Sequence, residues 1–158
     1  MTIDTIQQKH RPAHILLVED NHGDVILTRR AFKESKIANE LSVASTGEEA
    51  LAMLRKQGKY AQCDLPDLIL LDLNLPKMSG QDVLETVKND PCLQHIPVLI
   101  LSSSQAERDV IRSYNLHANG YVVKPVTLDN FIDLANKVEQ FWFTLVVLLN
   151  GEDVNSAS

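Results

Sequence analysis

Five residues with chemistry of their own stand where short apolar runs give way to polar sequence. HILLVE (14–19) ends in Glu19 and is followed by Asp20, DLILL (67–71) runs into Asp72, PVLILS (97–102) ends in Ser102, and GYVV (120–123) leads to Lys124 and Pro125. Three carboxylates brought together repel one another at neutral pH unless a cation sits among them. A site built from oxygen donors suits Mg2+, which keeps several waters and takes phosphate oxygens as further ligands. An ammonium beside such a cluster suits an incoming phosphoryl anion. Taken singly, each residue has a plainer use. A strand-ending aspartate commonly caps the next turn or helix, a strand-ending serine carries little information, and a lysine before proline is commonly a solvated loop residue. Only convergence on one edge makes them a site, and that depends on the elements that carry them.

The runs are continuous rather than alternating and rich in Val, Ile and Leu, as suits strands covered on both faces of a parallel sheet. ELSVAS (40–45) is a weaker strand with some period-two character. Helical patterns lie between. Val25, Leu27, Ala31 and Phe32 mark the first. The second starts at Thr46, an N-cap candidate with Glu49 three residues on, and runs through Ala50, Leu51 and Leu54 to Gly58. The third spans about 79–89 and stops before Asp90-Pro91, the fourth spans about 105–115, and the last runs from Thr127 to about Leu149. Five strand–helix units in strict alternation predict an α/β domain with right-handed crossovers. Open parallel sheets bind ligands beyond the carboxyl ends of their strands, where the strand order reverses, and all five residues leave that edge. One domain over 14–150 is expected, between a flexible arm (1–13) and a disordered tail (151–158), with no internal linker or repeat.

At 158 residues, with 44% apolar and 23% charged, the chain can bury a core without disulfides or structural metals. A net charge of -6, from 15 basic and 21 acidic residues with no local Lys/Arg stripe, argues against nucleic acid or a membrane surface as partner. Cys63 and Cys92 lack ligand spacing and read as reduced thiols of a cytoplasmic protein. The opening MTIDTIQQKHRP lacks the apolar centre of a signal peptide. His10, His14, His22, His95 and His117 show no metal spacing and read as ordinary surface or core residues.

Four motifs, VEDN (18–21), LLDLNLPKMSG (70–80), VLILSSS (98–104) and GYVVKP (120–125), resemble in order and spacing those of the response-regulator receiver family, over almost the whole chain. The resemblance implies a flavodoxin-like, doubly wound five-stranded parallel sheet, (βα)5, with strand order 2-1-3-4-5. It also implies a signalling protein that promotes only its own Mg2+-dependent phosphorylation and dephosphorylation, not an enzyme acting on other substrates. Residue by residue, Asp72 would be the phosphoacceptor. Mg2+ would be held by Glu19, Asp20, Asp72 and the backbone carbonyl of Asn74, with Asp20 the more direct ligand and Glu19 acting largely through water. Ser102 stands where the family has a Thr or Ser that bonds the phosphoryl group, Lys124 where a lysine clamps one of its oxygens, and Tyr121 at the aromatic switch position. Glu19 departs from the commoner Asp, a change that bears on metal affinity. Phosphorylation would draw Ser102 towards the new oxygens and let Tyr121 turn inward. That would remodel the face formed by the fourth helix, fifth strand and fifth helix, as a population shift.

A narrower likeness is carried by Ser113-Tyr114-Asn115-Leu116, Asn119, Lys124-Pro125-Val126 and Phe141-Trp142, together with Asp24 and the loop 56–66. These resemble the single-domain regulators paired with cyanobacterial-type phytochromes. The implied phosphodonor is a light-sensing histidine kinase, and the output is contact with an unidentified downstream protein.

The last helix has its own physical interest. Leu128, Phe131, Ile132, Ala135 and Val138 form one apolar face for the sheet, but from 141 to 149 apolar residues occupy every face. That run is far short of the ~20 residues that cross a bilayer. A helix apolar all round must be buried all round. A homodimer interface centred on Phe141, Trp142, Leu145, Val146 and Leu149 is expected, with a core segment folded back on its own domain as the alternative.

Three rivals fit the residues less well. An aspartate-nucleophile phosphatase wants a second Asp two positions after the nucleophile, where this chain has Asn74. An FMN carrier wants a phosphate-holding first loop, where Glu19-Asp20-Asn21 would repel phosphate. An interaction module that has lost phosphotransfer has no need of the full set Asp20, Asp72, Ser102 and Lys124.

Overall fold

The computed structural model describes residues 12–35, 38–102, 118, 120–123, 128–130 and 132–140, with backbone only at 121 and 123. Its elements are β1 (Ala13–Val18), α1 (His22–Lys33), β2 (Asn39–Ala44), α2 (Gly47–Leu54), a single 3-10 turn (Gly58–Tyr60), β3 (Leu68–Asp72), α3 (Gly80–Asn89), β4 (Val98–Ser102) and β5 (Gly120–Val123). Residues 128–130 and 132–140 are helical. The strands form one parallel sheet in the order β2-β1-β3-β4-β5, as expected. The fourth helix expected at 105–115, Lys124, the run 141–149, and nearly all of the expected arm and tail lie outside the described residues.

Burial explains the continuous apolar runs. Every residue of LILLD in β3 and of VLILS in β4 is buried. On one face Leu16, Val18, Ile69, Leu71 and Ile100 pack with Leu51 and Leu54 of α2 and with Val83, Leu84 and Val87 of α3. On the other, Leu17, Leu70 and Leu101 pack with Ala31 and Phe32 of α1 and with Leu134, Ala135 and Val138 of the last helix. Each fully buried Leu or Ile contributes about 1.5–3 kcal/mol relative to exposure, so the strands at the centre of the sheet are its most firmly held parts.

Helix termini follow local chemistry. Thr46 accepts the Glu49 amide at 3.0 Å and starts α2 as expected. The reciprocal capping box stands instead at α3, where the Asp82 amide donates to the Ser79 hydroxyl at 3.1 Å and the Ser79 amide donates to the Asp82 carboxylate at 3.3 Å. Helix α2 ends at Leu54, short of the expected Gly58, because Lys56 takes a left-handed conformation (φ 54). Its neighbours then close the end: the Gln57 amide donates to the Ala52 carbonyl at 2.9 Å and the Lys56 amide to the Met53 carbonyl at 3.2 Å. This is a Schellman closure with lysine where glycine is usual.

Candidate functional site

Register brings the acids together. Val18 of β1 pairs with Leu71, so Glu19 and Asp20 leave β1 beside Asp72, the last residue of β3. Asp72 pairs with Leu101, which sets Ser102 one residue further along β4. Glu19, Asp72 and Ser102 are buried, whereas Asp20 is exposed at the mouth.

The loops hold these side chains in place. Asn21 caps α1 by accepting the Asp24 amide at 3.0 Å, and its own backbone amide donates to a Glu19 carboxylate oxygen at 3.2 Å. After β3, the Asn74 amide donates to Asp72 Oδ1 at 3.0 Å. The exposed side chain of Asn74 takes no part in that bond.

One carboxylate oxygen from each of Glu19, Asp20 and Asp72 lies within 4.8 Å of the other two. At that spacing, the two buried charges repel by on the order of 3 kcal/mol at an effective dielectric of about 20. A divalent cation removes the repulsion. The donor set is oxygen only, which fits a hard ion such as Mg2+ or Mn2+ and offers nothing to a soft one. Among the described residues no other group of three His, Cys, Asp or Glu side chains converges in this way.

Gly80 belongs to this site, although the sequence distinguished it only as the last letter of a motif. Its amide donates to the Leu73 carbonyl at 3.2 Å, which presses the start of α3 against the end of β3. A Cβ there would lie 2.3 Å from the Asp72 carbonyl oxygen and 2.7 Å from Leu73 Cα. The available signal was a glycine directly after an N-capping serine, eight positions past the aspartate, which only the packed fold turns into a constraint on Asp72. Lys77, in the same loop, takes φ 61.

Ser102 shows a second feature. Its hydroxyl is fully buried and has no hydrogen-bond partner among the described residues. A buried hydroxyl without a partner costs about 1–3 kcal/mol. Ser102→Ala is therefore expected to leave the unphosphorylated protein as stable as wild type, or more stable by about 1 kcal/mol. Urea unfolding without a phosphodonor measures this, and a loss above that size would assign the hydroxyl a resting partner. Tyr121 contributes its backbone to β5 opposite Ile100, its side chain lying outside the described residues together with Lys124. The fold thus assembles Glu19, Asp20, Asp72, Asn74 and Ser102 at one edge.

Comparison with known proteins agrees with this geometry. Residues 15–136 match the family described as response regulator receiver domain. The chain is 43% identical over 141 residues to response regulator Rcp1 of Synechocystis sp., covering 89% of this chain and 96% of that protein. Among solved structures, the phosphorylated cyanobacterial phytochrome response regulator RcpA superposes with a TM-score of 0.78 at 43% identity, covering 85% of this chain and 96% of that one. The Mn2+-bound form of Rcp1 superposes with a TM-score of 0.74 at 44% identity, covering 83% and 94%. No helix among the described residues is long and apolar enough to cross a membrane.

Proposed function

The chain belongs to the response regulator receiver family, and from that premise we propose that it works in a two-component phosphorelay by accepting a phosphoryl group on Asp72 from a phytochrome-type sensor histidine kinase. The observation that carries the assignment is the meeting of Glu19, Asp20 and Asp72 within 4.8 Å at the carboxyl edge of the sheet. The named relatives support the partner: RcpA is a phytochrome response regulator, crystallised phosphorylated. The Mn2+ bound by Rcp1 supports a divalent cation here.

The residues of the chain divide the work. An Asp72 carboxylate oxygen attacks phosphorus in line, the new O–P bond forms as the donor's N–P bond breaks, and the histidine leaves with a proton from solvent. Positioning and charge neutralisation supply most of the catalysis in such transfers. The Asn74 amide fixes the Asp72 carboxylate from one oxygen, and Gly80 lets α3 abut its backbone. Glu19, Asp20, Asp72 and the Asn74 carbonyl would hold Mg2+, which supplies positive charge against the equatorial phosphoryl oxygens. Lys124, by the family resemblance, would add an ammonium for the phosphoryl oxygens. The product places nearly two negative charges at the sheet edge, and the Ser102 hydroxyl gains an acceptor. Tyr121 and the neighbouring output face would respond to that move. Association through the run 141–149 is part of the same proposal and rests on the sequence.

Incubation with Mg2+ and acetyl phosphate tests the reading by intact mass. Wild type is expected to gain one phosphoryl group and Asp72→Asn none. The adduct should survive acid and be lost in base, as an acyl phosphate is. Equal uptake by Asp72→Asn would refute the assignment.

A further inference from the structure

The loop from Leu73 to Gly80 joins the strand that ends in Asp72 to the start of α3. Its base is closed, because the Gly80 amide donates to the Leu73 carbonyl at 3.2 Å and the Asn74 amide to Asp72 Oδ1 at 3.0 Å. Asn74, Pro76 and Lys77 are exposed, whereas Leu73, Leu75 and Met78 pack against the core on the face of the sheet that α2 and α3 cover. Lys77 takes φ 61. A residue with a Cβ keeps that conformation only where its surroundings impose it, and an exposed lysine side chain supplies no such constraint. The chain lies in solvent at 76 and 77 and returns to the core at 78, so the left-handed turn accompanies the anchoring of Met78.

Met78 is seated on Gly47, the first residue of α2. A Cβ at Gly47 would stand 3.1 Å from both Cγ and Sδ of Met78, and 2.8 Å from Val83 Cγ2. Thr46 fixes this end of α2 by accepting the Glu49 amide at 3.0 Å, and the fully buried Val83 of α3 closes the other side. The bare backbone of Gly47 thus leaves room for one unbranched side chain, which a thioether fills well. Through this contact the start of α2 braces a loop whose other members are the Asp72 and Asn74 backbone.

We infer that Met78 and Gly47 are a positioning pair for the metal site: the thioether, seated on the start of α2, holds the loop 73–80 in the form that keeps the Asn74 backbone at Asp72. This rests on the function proposed above, in which the Asn74 carbonyl is a metal ligand. Neither member of the pair is itself a ligand. With Met78 unseated, Lys77 is free to leave its left-handed conformation, the loop gains alternatives, and the Asn74 amide and carbonyl lose their single orientation. Groups that orient the ligands of a metal typically change its affinity by about 10–100-fold when removed.

The test compares Met78→Ala with Met53→Ala in the full chain. Met53 is also a partly buried methionine on the same core, but it stands near the other end of α2, where it lines a hollow with Cys63 and Pro66. Both variants should lose stability. Only Met78→Ala is expected to bind Mg2+ about tenfold more weakly, when EDTA-treated protein is titrated with MgCl2 and followed by amide chemical shifts. Without metal, it alone should speed hydrogen exchange of the Asn74 amide beyond any rise at Leu70 and Ile100 in the sheet. Met78→Leu, a nearly volume-conserving change, should restore the affinity, and Gly47→Ala, which attacks the contact from the α2 side, should reproduce both losses. Wild-type Mg2+ affinity in Met78→Ala, or an equal loss in Met53→Ala, would overturn the pairing and leave the metal site standing. Wild-type protein that gives no saturable Mg2+ shifts would overturn the proposed function, and this inference with it.

Discussion

Wild-type protein is expected to melt at steadily higher temperature as MgCl2 is raised from zero in EDTA-treated buffer, and Asp20→Ala to melt at one temperature throughout. The reason is linkage: an ion that binds only the folded state stabilises it by about 2.7 kcal/mol at a hundred times its dissociation constant. Asp20 is the exposed member of the cluster and faces the solvent from which the ion arrives. Its removal leaves Glu19 and Asp72, two buried carboxylates with too few direct ligands for a strongly hydrated cation. Without metal the order reverses. Asp20→Ala should then be at least as stable as wild type, because one of three mutually repelling charges has gone. Exposure of Asp20 limits that gain to about 1 kcal/mol or less. Calorimetry of both proteins across the titration measures both effects. A magnesium-dependent rise of equal size in Asp20→Ala would remove this carboxylate from the metal site.

Gly80→Ala is expected to be the most damaging single-methyl change near the site. The added Cβ would stand 2.3 Å from the Asp72 carbonyl oxygen and 2.7 Å from Leu73 Cα. Both are backbone atoms of the strand that carries the nucleophile, so no side-chain rotation relieves the contact. Overpacking in a well-packed interior costs about 1–3 kcal/mol, and a backbone clash at a fixed strand end belongs at or above the upper limit. Either α3 retreats or the end of β3 shifts. In both cases Asp72 loses its register with Glu19 and the Asn74 amide, so phosphate uptake should fall with stability. Gly58→Ala provides the comparison. Gly58 also has an unusual backbone (φ 54), but its Cβ would meet nothing within 4 Å. That change should cost only about 1 kcal/mol and leave phosphate uptake intact. Urea unfolding and acetyl phosphate labelling of the two variants separate the cases. Equal behaviour would mean that the contact at Gly80 relaxes without involving Asp72.

The strands and their chemical residues were legible because one physical cause wrote both. LILLD and VLILS are buried over their whole length, so all but the last residue of each is apolar, and that first polar residue marks the edge where ligands bind. Position Asp72 is readable for that reason. Gly80 was not, because its constraint is a tertiary contact with the Asp72 and Leu73 backbone and leaves no periodicity. The early end of α2 was hidden in the same way: nothing in the type of residue 56 announces a left-handed lysine. Leu93 and Ile96 are buried in the turns between α3 and β4, held partly by the Lys88 ammonium, which donates to the Gln94 carbonyl at 3.3 Å and the Ile96 carbonyl at 3.0 Å. Loop residues of this kind follow neither the helical nor the strand period. Burial also lowers the Lys88 pKa below its ordinary value, a tertiary effect with no trace in the sequence. The weak strand signal of ELSVAS has a visible cause as well, since Glu40 and Ser42 line a hollow rather than a core.

Of the three neighbouring carboxylates, Asp72 is the one proposed to carry the phosphoryl group. Reduction with borohydride tests this directly, because it converts an acyl phosphate, and not a free carboxylate, to the alcohol. Protein labelled with acetyl phosphate and Mg2+, reduced and digested, is expected to yield homoserine at position 72 by peptide mass spectrometry, with Glu19 and Asp20 unchanged. Conversion at Asp20 or Glu19 with Asp72 intact would contradict the account.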